Sequence, residues 1–166
     1  MVNSKIKYTE SSIIDLLSEI CDPEIPVVTI QEMGILRGVN ISEDFCEVII
    51  TPTYSGCPAM GIIEQDIISL LQKHDVQNPK VKLVYSPAWT TDMMSDATKE
   101  KLRNFGIAAP LHSSCMNWMK PSDITVTCPR CASKNTRLIS QFGSTACKSF
   151  YSCNDCKEPF DYFKCH

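Results

Sequence analysis

Two Cys-x-x-Cys pairs, Cys128-Pro129-Arg130-Cys131 and Cys153-Asn154-Asp155-Cys156, stand 21 residues apart in this 166-residue chain, and no other feature so narrows what the chain can fold into. Two residues between thiolates let the backbone turn tightly, so that both sulfurs reach one ion at about 2.3 Å while neighbouring amides point at them. The separation is one residue beyond the usual window of roughly 15–20 for a four-cysteine zinc site. Between the pairs, Thr136–Ser140 and Lys148–Ser152 read as short strands, which predicts a zinc ribbon too small to hold a core without its ion. Four thiolates close the coordination shell, so the expected ion is structural and does not activate water. Iron suits the same sulfur tetrahedron and stays open as an occupant in vitro. The competing reading is two chance motifs whose cysteines pack as small apolar residues. Cys147, Cys165 and His166 are left over in this module, either as a second, looser site or as simple surface groups.

The rest of the chain is long enough for one ordinary domain. At 43% hydrophobic and 21% charged it can bury a core, and the ten cysteines are too few and too clustered for a disulfide scaffold. The residues from Ile124 onward carry three more Lys and Arg than Asp and Glu; with a whole-chain charge of -3, the first 123 residues come to about -6. That asymmetry fits two modules. Without a domain-wide basic surface, no nucleic-acid partner is expected. Without an apolar run of bilayer length or a signal-peptide pattern, no membrane association is expected, and the chain is assigned to the cytoplasm.

Along the first module the apolar spacing of Ile13, Ile14, Leu16, Leu17 and Ile20 predicts a helix over Thr9–Ile20. The run Cys21–Ile30, with two prolines, predicts an irregular loop carrying Asp22 and Glu24. Ile35–Ile41 and Phe45–Thr51 predict a hairpin, Ala59–Lys73 a second helix, and Val81, Leu83 and Tyr85 a third strand running parallel after a crossover. Ser95 opens a third helix that Gly106 stops. Residues 107–123 read as a linker or draped arm, giving domains 1–106 and 124–166 around it. Cys57 precedes Pro58 and is placed as the N-cap of the second helix, where unpaired amides would stabilise its thiolate. A buried structural thiol is the alternative.

The segments DPEIPVVTI at Asp22–Ile30, MGILRGV, and TPTYSGCPA at Thr51–Ala59 resemble the SufT-like domain of iron-sulfur cluster assembly factors, over residues 9 to 106. The tail from CPRC at Cys128 through FKC at Cys165, together with PAWTTDMMSDA at Pro87–Ala97, is similar to the PaaD or PaaJ family, one of the subunit types of phenylacetyl-CoA epoxidase systems. The resemblance implies an α+β fold, a small mixed helix and sheet domain followed by a zinc ribbon. It also implies that Cys57 is the functional thiol and that Asp22, Glu24 and Thr51 line the same pocket. Cys147 and Cys165 belong to the family pattern, which strengthens the second site. Cys21, Cys46, Cys115, His74, His112 and His166 receive no role.

For function, the resemblance implies an accessory protein of aerobic phenylacetate degradation, in which a multicomponent di-iron oxygenase converts phenylacetyl-CoA to its ring epoxide. The chain is expected to assist maturation of metal centres, handling transient iron or an iron-sulfur cluster at Cys57, with zinc in the ribbon. Implied partners are oxygenase or reductase subunits, iron-sulfur assembly factors, and a second copy of the chain, since one cysteine per monomer invites a dimer to supply two ligands. The alternative is a structural or electron-transfer subunit of the oxygenase. Independent catalysis has no support: no paired acids with a histidine base, nucleophile elbow, phosphate loop or HExxH stands out.

Overall fold

Thr9 accepts a hydrogen bond from the amide of Ser12 while the Ser12 hydroxyl accepts from the amide of Thr9, and this reciprocal cap starts α1 (Glu10–Leu17). The computed structural model describes residues 8–109 and 125–164. These form two compact units, residues 1–89 and 90–166. The first holds α1, β1 (Leu36–Ile41), β2 (Cys46–Ile50), α2 (Ala59–Lys73) and β3 (Pro79–Leu83). The second holds a 3-10 turn (Thr91–Met93), α3 (Asp96–Phe105), β4 (Ile107–Ala108), β5 (Thr136–Ser140), β6 (Lys148–Cys153) and β7 (Pro159–Phe163). The mixed helix and sheet class is as expected.

In the first unit β1 and β2 form the anticipated hairpin and β3 runs parallel to β2, giving the order β1-β2-β3. Cys46, Val48 and Ile50 of β2, Ile63, Ile67 and Leu71 of α2, and Ile13 and Leu17 of α1 are all buried and belong to the core. Those five helical residues repeat at intervals of four, the period of a single buried face. Val81 and Leu83 lie in the third strand as the sequence reading placed them, whereas Tyr85 falls beyond its end; Leu83 is 39% and Tyr85 58% exposed. Asp75 and Asn78, both with positive φ, turn the chain early, so the edge strand begins at Pro79 and ends before Tyr85.

In the second unit Ser95 caps α3 through the amide of Thr98, and Gly106 stops it at φ 96, the left-handed conformation that glycine adopts without penalty. α3, grouped by sequence with the first domain, lies in this unit, and β4 takes the first two positions of the stretch read as a linker. Sheet order is β4-β7-β6-β5, with β4 parallel to β7 and the rest antiparallel. Its core gathers Ala108, Val126, Cys128, Tyr151, Cys153, Phe160 and Tyr162. Tyr151 stacks on Phe160 at 6.0 Å between centroids and meets Tyr162 edge-on at 5.7 Å, both within the favourable range for aromatic pairs.

Candidate metal centre and thiol site

The sulfurs of Cys128, Cys131, Cys153 and Cys156 all lie within 4.8 Å of one another, Cys128 3.8 Å from Cys156 and Cys131 3.5 Å from Cys153. A tetrahedron of sulfurs each about 2.3 Å from its ion has edges of about 3.8 Å, so the four residues fit a single metal ion. Both separations are far beyond the roughly 2.05 Å of a disulfide bond.

The two knuckles are built alike. The amide of Ala132 donates to the carbonyl of Cys128 at 3.0 Å, and that of Lys157 to Cys153 at 3.1 Å. The Cys128 and Cys153 amides donate to the carbonyls of Ser133 and Glu158, at 2.8 and 3.0 Å. Ala132 and Lys157 occupy matching left-handed positions, at φ 59 and φ 68. This curl aims amides at sulfur, as the spacing anticipated: Ser133 toward Cys131, Cys156 and Asp155 toward Cys153, Glu158 toward Cys156. Those of Cys156 and Asp155 hold the Cys153 thiol down at about 7. The Glu158 amide pulls Cys156 the same way, but desolvation and the neighbouring thiols Cys131, Cys153 and Cys128 prevail and push it up to about 12. Adjacent thiols cannot all ionise together until a cation compensates them, so metal entry here releases protons.

Cys147 is buried in the turn before β6, 3.0 Å from the Thr145 hydroxyl, and belongs to no metal-competent group among the described residues. Its proposed companion Cys165 lies outside the described residues, as do Cys115, His112 and His166.

The loop containing Asp22 and Glu24 is ordered around a buried carboxylate. Asp22 Oδ1 accepts the amides of Glu24 at 2.8 Å and Ile25 at 2.9 Å, and the Asp22 amide donates to Val28 at 2.9 Å. Such self-capping is what aspartate offers a proline-rich loop whose ends are joined by an isolated bridge between Cys21 and Thr29. It brings both carboxylates within electrostatic reach of the half-buried Cys57. Thr51 is fully buried at the end of β2; its amide donates to Ile35, and its hydroxyl has no partner among the described residues. Thr53, which sequence reasoning passed over, is buried and bonds the Cys57 sulfur. Its position four residues before the cysteine on the same turn was the available signal.

Two expectations for Cys57 need correction. Pro58, not Cys57, is the residue preceding the first turn of α2, at φ -71 and ψ -19. The thiol is raised from its ordinary value rather than lowered. Burial is the largest cause; the Ala59 amide does reach the sulfur and opposes it, but Glu24 and Asp22 add to the rise. The Ala59 amide is local in sequence, whereas the two carboxylates arrive from a loop more than thirty residues away.

Residues 10–84 match a family model described as iron-sulfur cluster assembly protein, and residues 115–164 one described as PaaD zinc beta ribbon domain. A protein of Escherichia coli K12, provisionally named as the D-type subunit of 1,2-phenylacetyl-CoA epoxidase, is 48% identical over 90% of this chain and 89% of its own length. An Fe-S protein maturation auxiliary factor of Porphyromonas gingivalis is 33% identical over 57% of this chain and 91% of its own, and the auxiliary factor SufT of Staphylococcus aureus is 39% identical over 48% and 92%. Among solved structures, a domain of unknown function (DUF59) from Bacillus anthracis superposes with a TM-score of 0.52 at 29% identity, covering 56% of this chain and 90% of that one.

Proposed function

The chain belongs to the PaaD family of phenylacetyl-CoA epoxidase subunits, and from that premise we propose that it is an accessory protein of phenylacetate breakdown that delivers or maintains iron centres through Cys57. One observation carries this reading: a half-buried thiol with two carboxylates, Glu24 and Asp22, in electrostatic reach, so that burial and negative charge both favour its protonated form. A proton held in such a place is readily exchanged for a metal cation, because the cation satisfies Asp22 and Glu24 as the thiol ionises. Soft sulfur beside hard oxygen suits iron, and few protein ligands suit a cargo that must leave. The unpaired Thr51 hydroxyl supports a bound group nearby, since a buried hydroxyl without a partner costs on the order of 1–3 kcal/mol.

In this reading the ribbon holds zinc structurally and docks the oxygenase or reductase subunits, while iron-sulfur assembly factors supply the cargo and two chains pair to contribute two Cys57 ligands. The protein works in the cytoplasm. Among the described residues no helix is long and apolar enough to cross a membrane.

Anaerobic reconstitution with ferrous iron and sulfide tests the proposal. Cys57→Ser is expected to lose iron and the accompanying visible absorption while keeping the ribbon's metal, and to fail to restore growth on phenylacetate. Full iron loading and full pathway activity in that variant refute it. Fixed-stoichiometry co-purification with active oxygenase, independent of Cys57, would favour the structural or electron-transfer subunit instead.

A further inference from the structure

Asp155 lies inside the second knuckle but is not a ligand. Its Oδ2 accepts the hydroxyl of Ser133 and its Oδ1 accepts the side-chain amide of Asn135 at 2.8 Å, both residues that follow the first knuckle. Asn135 in turn accepts the side-chain amide of Asn154 at 2.8 Å and, through its carbonyl, the backbone amide of Asn154 at 2.9 Å. The Asn135 amide donates to Ser133 Oγ at 3.0 Å, closing the set. Residues 133–135 are thus tied to residues 154–155 by hydrogen bonds that never pass through a sulfur.

Electrostatics alone argues against an acid here. A divalent ion with four thiolates carries a net charge of about -2, and a carboxylate within the same knuckle repels it. Asp155 is also exposed, so burial gives no reason for it. What it does supply is two acceptor oxygens in a rigid plane, which neither Ala nor Ser could offer to Ser133 and Asn135 at once.

We propose that Asp155 is a positioning residue for the metal centre: with Ser133, Asn135 and Asn154 it clasps the two knuckles at the spacing the ion requires and sets how slowly the ion leaves. This role rests on the four cysteines holding a metal. Partners of this kind around a metal site commonly govern affinity by about 10–100-fold. The clasp and the charge give opposite signs: losing the clasp speeds release, whereas losing only a repulsive charge slows it.

The experiment is chelator-driven release of zinc and of cobalt from the full chain, followed by stopped-flow absorbance. Wild type must first show thiolate-to-cobalt charge-transfer bands of four-sulfur intensity; their absence overturns the metal centre and the proposal together. With bands of unchanged intensity, showing that all four sulfurs still bind, Asp155→Ala is expected to release metal about 10–100-fold faster. Asn135→Ala should act in the same direction and less than additively with it. Asp155→Asn, which keeps one acceptor and removes the charge, should fall between Asp155→Ala and wild type. Leu138→Ala weakens packing in the same sheet without touching the clasp. Release from Asp155→Ala that is no faster than wild type, or no faster than Leu138→Ala at equal loss of thermal stability, overturns the proposal.

Discussion

The left-handed residue in the first knuckle offers a substitution whose sign follows from geometry. Ala132 sits at φ 59, exposed, with its amide bonded to Cys128. An L-residue in that conformation costs about 1–2 kcal/mol because Cβ crowds the following carbonyl. Glycine removes that cost but enters from a freer unfolded chain, a penalty of about 0.5–1 kcal/mol. The difference favours Ala132→Gly by about 0.5–1 kcal/mol. Ordering the knuckle and binding the ion are one event in a module of this size, so the gain appears as affinity, about two- to fivefold in Kd. Lys157, the matching residue at φ 68, also donates from Nζ to the carbonyl of Asn154, and Lys157→Gly forfeits that bond, leaving little net change. Ala132→Val adds β-branching at a position hostile to it and should weaken binding about tenfold or more. Competition against a chromophoric chelator, on the full chain, measures all three. If Ala132→Gly leaves the affinity unchanged or lowers it, the left-handed turn is not what limits the knuckle.

The raised Cys57 thiol predicts that its alkylation by iodoacetamide, followed by peptide mapping, rises with pH only above the free-cysteine value of about 8.5, since the thiolate forms late. Glu24→Gln removes one of the charges holding the proton and should move that midpoint down; a midpoint below free cysteine in the wild type contradicts the assignment. Trp89→Phe strips the indole N–H that meets the Met33 carbonyl at 2.8 Å and leaves that carbonyl buried, so the urea midpoint should fall by the equivalent of about 1–3 kcal/mol. Gly143→Ala places a Cβ 2.3 Å from Asp161 Oδ1 and 3.3 Å from the backbone of Ser149. Asp161 must then swing off Ser144, whose hydroxyl donates to it at 2.7 Å, at a cost of about 1–2 kcal/mol in denaturant titration.

What could be read from the residues was what depends on neighbours in the chain. The knuckles, the cap at Ser95, the stop at Gly106 and the span of α2 over Ala59–Lys73 are all local patterns, and each appeared where its spacing put it. β7 went unseen although Phe160 and Tyr162 alternate with Asp161, because five residues beside a knuckle carry little period of their own and gain their strand from β6. β4 is two residues long and exists only by pairing with β7. Cys57 shows the same limit in electrostatics: its helix-start amide was legible, and the opposing carboxylates were not. The clasp joins positions about twenty apart whose residue types, Ser, Asn and Asp, are common in any loop.

The strand order β4-β7-β6-β5 also sets which strand closes the sheet. β7 lies between β4 and β6, so the strand latest in sequence is the one that joins the earliest to the hairpin. Without β7, β4 has no neighbour and the inner edge of β6 is bare, the kind of edge that recruits stray strands. All four ligands precede Pro159, so β7 supplies no sulfur and closes a sheet whose ligand set is complete without it.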